Sequence, residues 1–296
     1  MALNNLYAIS LDGVDDNIVV PFSTVMQQEQ FTIEMLFQLT NNAYFQTFLS
    51  YGGLVSDGWM IQRTSDGKLR LAWGSSYPND YSGFDVSTNQ VMISIVRNAG
   101  DVMFYINGVL VHTWTHASAA LGQYDLVIGK RSDNVQFSQM ECDELRLWNY
   151  NRSQLEIEYY KDRKLVGNEQ GLVSYYRCDS GSGNILIDEI NNNDATIQGG
   201  TWIAGEVDLQ PPGVFMKSYD VTNISASSAT LNGEIFSLGE YSQLDVAFQY
   251  SPYPDFSQDI NQTSIQTITA PQVISANVTG LDQSTGYYVR MTAEGS

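Results

Sequence analysis

The strictest constraint in this 296-residue sequence is a two-residue alternation of apolar and polar side chains, repeated in many short runs. Phe31, Ile33, Met35 and Phe37 alternate with Thr32, Glu34 and Gln38. Successive side chains of an extended chain leave opposite faces, so this period buries one face of a strand, whereas a helix repeats its faces every 3.6 residues. Similar runs cover 7–11, 17–20, 45–51, 58–63, 68–73, 91–97, 102–107, 109–114, 124–128 and 140–148. Ser65-Asp66-Gly67, Asn98-Ala99-Gly100 and Asn107-Gly108 lie between runs and suit hairpin turns. Many short strands at this spacing predict an all-β sandwich or jelly roll.

One helix interrupts the pattern at about 153–163. Ser153 followed by Glu156 fits a capping box, and Leu155 with Tyr159 is expected to face the sandwich. Short strands follow near 171–177, 185–187 and 195–197. Gln210-Pro211-Pro212-Gly213 then reads as a semi-rigid linker, because consecutive prolines hold the chain extended. The expected organisation is one domain over 1–209, a linker over 210–213 and a second β domain over 214–296, with strands near 229–235, 244–250, 265–268, 273–278 and 287–291.

Composition narrows the function. Lys plus Arg number 14 against 33 Asp plus Glu, a net charge of -19 that repels phosphate backbones and anionic lipid surfaces. Nucleic acid and membrane insertion are therefore poor expectations, and no apolar stretch approaches the length of a membrane span. Residues 1–11 lack the basic and apolar regions of a signal peptide, so a chain starting at Met1 is not expected to be secreted by that route. Cys142 and Cys178 each sit in an apolar strand-like run and read as buried thiols rather than a bridge.

The first domain resembles the laminin-G-like, concanavalin-type jelly rolls. The resemblance rests on an ordered set of motifs: Ser10-Leu11-Asp12-Gly13-Val14-Asp15-Asp16, Phe31-Thr32-Ile33-Glu34, Tyr105-Ile106-Asn107-Gly108, Ile128-Gly129, Asp143-Glu144-Leu145-Arg146-Leu147-Trp148-Asn149 and Gly171-Leu172-Val173-Ser174-Tyr175-Tyr176. The second domain resembles a fibronectin type III module, with Leu281 and Tyr287 at the spacing of that family's tyrosine corner. Counted against that family, the strands stop before the last one. The expectation is an excerpt of a longer polypeptide, or a final strand supplied from elsewhere.

Jelly rolls of this superfamily often hold a structural Ca²⁺, and the resemblance carries that role onto Asp12, Gly53 and Asp143. Hard oxygen ligands suit the ion. The alternative is that Asp12, Asp15 and Asp16 only brace a tight turn by side-chain to backbone hydrogen bonds. Asp57 and Asp133 match the loop acids of the pentraxin branch, but Lys130 and Arg131 beside Asp133 would oppose a second cation. Glu141-Cys142-Asp143-Glu144-Leu145 is similar to the active strand of jelly-roll glucanases, in which three acids alternate on one face. Here Leu145 is read at the third position, so no acid and base pair is completed and no enzyme is expected. His112 and His116 have no nucleophile motif beside them.

The stretch 73–84 reads as an aromatic loop. Trp73, Tyr77 and Tyr81 beside Asn79 and Asp80 could stack on sugar faces and fix hydroxyls, or cover a neighbouring subunit. The expected function is non-catalytic surface binding, first as part of a phage virion protein contacting host glycan or other virion proteins. The alternatives are a bacterial carbohydrate-binding adhesin at the cell surface and an accessory module of a polysaccharide-active enzyme. Homo-oligomerisation would cover the aromatic surface.

Overall fold

The computed structural model describes residues 7–43, 45–52, 57–74, 76–115, 121–205 and 209–296, and of residues 76–82 it describes the backbone. In chain order the first strands are β1 (Tyr7–Asp12), β2 (Asn17–Val20), β3 (Gln30–Leu39), β4 (Gln46–Tyr51), β5 (Trp59–Arg63), β6 (Lys68–Trp73), β7 (Ser76–Asp85) and β8 (Val91–Asn98). They continue with β9 (Asp101–Ile106), β10 (Val109–Thr115), β11 (Leu126–Ile128), β12 (Gln139–Trp148), helix α1 (Gln154–Tyr160), β13 (Leu172–Tyr176), β14 (Ile185–Leu186), β15 (Ala195–Gln198) and β16 (Thr201–Ala204). Two compact units divide the chain. One takes the residues up to Arg163 with Gly171–Gln210, and the other takes Lys164–Gln170 with Pro211–Ser296.

The first unit is a sandwich of two sheets. One runs β10-β9-β8-β3-β12-β1-β16, with β13 also on β12, and the other runs β14-β15-β2-β11-β4-β5-β6-β7. Between them lies one apolar core, to which β3 gives Phe31, Ile33, Met35, Phe37 and Leu39, the face that the alternation marks. Non-consecutive neighbours such as β3 and β12 are what an all-β sandwich needs to close. The opposite face of β3 is also buried, with Thr32 at 0% and Glu34 at 1% exposure, because α1 and the chain before it cover that face.

The capping box of α1 is present as read: Ser153 Oγ accepts from Glu156 N, and the Glu156 carboxylate accepts from Ser153 N at 2.7 Å. The buried stripe differs from the expectation. Ile157 and Tyr160 face inward while Leu155 is 41% exposed. The reason is what lies beneath: Arg152 sits 4.6 Å from the Tyr160 ring centroid, and packing that cation turns this stripe down.

The second unit contains β17 (Val214–Thr222), β18 (Ser228–Leu238), β19 (Leu244–Ser251), β20 (Asn261–Gln262), β21 (Gln266–Ile268), β22 (Gln272–Thr279) and β23 (Tyr288–Gly295). One sheet is β17-β18-β22, and in the other β19 carries β20 and β21 as well as β23. Leu231, Ile235, Val246, Phe248 and Ile274 fill its separate core. Tyr287 Oη accepts a hydrogen bond from Asp282 N at 3.2 Å, closing the corner before β23. Among the described residues no helix is long and apolar enough to cross a membrane.

Candidate functional site

The stretch 73–84, read as a loop, is largely strand. β7 pairs antiparallel with β6 and forms the edge of its sheet, with Tyr81 opposite Arg70, Asp80 opposite Leu71 and Ser76 opposite Trp73. Two register shifts interrupt this ladder, which blurs the alternation in sequence and explains the misreading. The side chains of Tyr77, Asn79, Asp80 and Tyr81 lie outside the described residues. Trp73 is corrected: it is 4% exposed and belongs to the core. It stacks on Trp59 with centroids 5.8 Å apart and planes 6° apart, and the Arg97 guanidinium lies 5.1 Å from its ring.

Beside β7, the outer face of the same sheet holds a shallow depression. Ser50, Met60 and Ala72 stand in line across β4, β5 and β6, flanked by Gly52, Gly58 and Gly74. Gly52 is required to be small, since at φ +71° a Cβ there would meet the Tyr124 ring at 2.3 Å. A turn closed by Arg131 and Val135 forms one wall, anchored by Ser50 Oγ donating to Lys130 O at 2.9 Å. Arg131 holds Asp133 through two bonds of 2.7 and 2.6 Å, which keeps that carboxyl below its usual range. On the same face Thr47 and Gln62 are register neighbours, and among the described residues their buried Oγ1 and Oε1 have no hydrogen-bond partner.

Of the expected calcium ligands, Asp12 and Asp143 are held apart. Gly53 lies outside the described residues. Asp12 pairs with Gln139 on β12, four positions from Asp143, which is about 13 Å along a strand. Two oxygens on one Ca²⁺ lie within about 5 Å of each other, given bonds of ~2.4 Å. Asp143 is buried, and its Oδ1 accepts from Glu144 N at 2.7 Å. What the fold brings together instead is Asp12, Asp15 and Asp16, with carboxylate oxygens within 4.8 Å of one another. Asp12 Oδ1 accepts from Val14 N at 2.8 Å, and such backbone bonds hold its pKa down. Asp16 Oδ2 accepts from Asp12 N, yet burial, followed by the charges of Asp12 and Asp15, raises its pKa. The turn thus has the donor chemistry for a hard cation and is also braced internally.

The acidic stretch of β12 is rearranged by a β-bulge. Three residues advance from Asp143 to Arg146 while β3 advances two, and Glu144 takes φ +51°. Leu145 therefore joins Cys142 in the core, and Arg146 replaces it on the face of Asp143, correcting the assignment of Leu145 to that face. The carboxylates on this side are taken up in a buried network. Glu144 accepts from Arg146 at 2.8 Å and from Tyr175 Oη at 2.7 Å, while Glu34 accepts from Arg152 and Trp148. Sequence reasoning missed Glu34, Arg146 and Arg152 as one cluster, because Glu34 reads as part of the polar face of β3 and Arg152 lies in the connection between β12 and α1. His112 packs edge-on against Trp114, 4.8 Å between centroids, and His116 lies outside the described residues.

The profile of the concanavalin A-like lectin/glucanases superfamily matches residues 12–158, and this stretch is a domain of that superfamily. No curated protein sequence matches the chain. Among solved structures, a candidate carbohydrate-binding protein from Bacteroides ovatus is similar at a TM-score of 0.55 and 16% identity, over 69% of this chain and 61% of that one. The chain thus spans about three fifths of that protein's length. A heptameric SAP-like pentraxin from Limulus polyphemus gives a TM-score of 0.45 at 13% identity, over 66% of this chain and 96% of that one. Domain 4 of an extracellular arabinanase from Geobacillus stearothermophilus, in complex with arabinotriose, gives 0.44 at 17% identity, over 52% and 76%.

Proposed function

We propose that the first unit is a non-catalytic carbohydrate-binding module whose binding face is the β7 edge with the adjoining depression on β4, β5 and β6. The observation that carries this reading is the placement of Tyr77, Asn79, Asp80 and Tyr81 on an edge strand beside that depression. Rings give apolar platforms for sugar faces, and amides and carboxylates fix hydroxyls. The fold shared with the Bacteroides ovatus candidate carbohydrate binder supports it. The capture of Glu144 on β12 by Arg146 and of Glu34 on the neighbouring β3 by Arg152 argues against glycoside hydrolysis at this strand, which needs two acids facing a cleft.

The setting we propose is a virion surface, where the module contacts host glycan or neighbouring proteins, and the second unit serves as a fibronectin type III-like spacer. The net charge of -19 suits a protein that must not adhere non-specifically to anionic surfaces. In this reading Asp12, Asp15 and Asp16 would hold a structural Ca²⁺ that braces the β1 to β2 turn, with carbonyls or water completing its shell.

The test is a glycan array probed with the full chain, with Ca²⁺ and with chelator, followed by Tyr77→Ala and Tyr81→Ala. Retention of a defined glycan that both substitutions weaken supports the proposal. No retention under either condition, or cleavage of a polysaccharide by this chain, overturns it.

A further inference from the structure

Residues 211–296 hold eight Asp and Glu but two cations, Lys217 and Arg290. Among the described residues Arg290 makes no ion pair with any of those acids. Neutral groups hold it instead. Arg290 stands opposite Gln249 and Gln249 opposite Gln262, in one row across β23, β19 and β20. Arg290 Nε and Nη2 both donate to Gln249 Oε1, at 2.9 and 2.7 Å, and Gln249 Nε2 donates to Gln262 Oε1 at 3.0 Å. Phe256, from the connection between β19 and β20, stacks on the guanidinium, with its ring centroid 4.2 Å from Arg290 Cζ.

This arrangement fixes what the guanidinium can still do. A guanidinium is a planar fork that presents donors along its edges. Gln249 takes the edge of Nε and Nη2 and Phe256 covers one face, which leaves the edge of Nη1 and Nη2 as an aimed pair of donors. A carboxylate matches that edge with two parallel bonds. The row lies on the outer face of the sheet, since Val246 and Phe248 of β19 and Val289 and Met291 of β23 turn to the core. Drawn across to Gln249 and Phe256, the guanidinium stands toward β19, whereas a further strand beside β23 would run ~10 Å from β19. Two rings border the row. Tyr288, on the face of Arg290, is 50% exposed, and Tyr253, whose N donates to Oγ of the Ser251 opposite Tyr288, is 38% exposed.

We infer that this face binds an acidic sugar, a pyranose bearing one carboxylate. The carboxylate takes the open edge of Arg290, and the exposed tyrosines supply a platform for the sugar ring. Charge decides between anions. One guanidinium balances one negative charge, and the surrounding excess of acids opposes a phosphate, which carries more. A neutral sugar leaves the fork empty, and a free carboxylate leaves the tyrosines uncovered. The site shares no residue with the face proposed on the first unit, so neither reading rests on the other.

The experiment follows the Arg290 Nε–H signal of the full chain by NMR, with isotope-labelled arginine. The probes are trigalacturonate and sialyllactose, each against a neutral counterpart, the methyl ester and lactose, with acetate and inorganic phosphate as further controls. The expected result is a shift of that signal with one or both acidic sugars and none with their neutral counterparts; which of them acts separates a uronic from a sialic source. Arg290→Lys keeps the charge and loses the fork, so calorimetry should show about tenfold weaker binding of the active sugar. No shift with either acidic sugar would overturn the inference. So would an equal shift with a neutral counterpart, acetate or phosphate, or undiminished affinity in Arg290→Lys. Because the signal reports on Arg290 itself, its failure leaves glycan binding by the first unit standing.

Discussion

Arg152 donates from one guanidinium nitrogen to both carboxylate oxygens of Glu34, at 2.8 and 2.9 Å, with both side chains at most 2% exposed. Its guanidinium lies 3.8 Å from the Trp148 ring centroid. Burial works against the charge on Arg152, but Glu34, Tyr150 and Glu156 outweigh it and raise its pKa. Removing one member leaves the other charged in a dry site. Glu34→Gln should therefore cost about 3–5 kcal/mol. The double substitution Glu34→Leu with Arg152→Leu should recover part of that loss, read by urea denaturation.

The Asp16 carboxyl carries a raised pKa, chiefly from burial. As pH rises past the ordinary value of 3.8 the unfolded chain ionises first, so the native state loses stability until Asp16 itself has ionised. In chelator, Asp16→Asn should melt above the parent chain at pH 7 and level with it well below pH 3.8. Added Ca²⁺ should raise the parent and not the variant, because a ligand bound only to the native state stabilises it. Melting curves across pH in both conditions decide this.

Both thiols are buried, and burial pushes the pKa of Cys142 and of Cys178 well above the ordinary thiol range. The reactive species is the thiolate. Ellman's reagent at pH 8 should titrate neither cysteine in the folded chain and both in guanidinium. Prompt reaction of one thiol in native buffer would contradict this placement.

Trp73 packs between Trp59 and Arg97 rather than on the surface. Trp73→Ala should cost about 3–5 kcal/mol through lost burial and the cavity left behind. A substitution at Tyr77 or Tyr81 with that much effect on the melting temperature would place those rings in the core as well.

The strand content, the turn positions, the core face of β3 and the capping box were legible in the sequence because each is a local matter. Side-chain alternation and cap chemistry operate over two to four residues, and Phe31 to Phe37 or Ser153 to Glu156 carry them whole. The site was less legible. Trp73 differs from an exposed aromatic only in which side of β6 meets the core, and the bulge at Glu144 moves Leu145 across the sheet without any change in composition.

By itself, then, the sequence determined an all-β chain with a jelly-roll-like first part, a Pro-Pro junction and a second set of strands, since period and turn chemistry do not depend on distant partners. Tertiary structure alone decided which acids meet. Asp12 and Asp143 are separated by the register of β1 on β12, whereas Glu34 reaches Arg152 across 118 positions of chain. Strand register is a long-range property, fixed by how whole faces pack, and no local pattern encodes it.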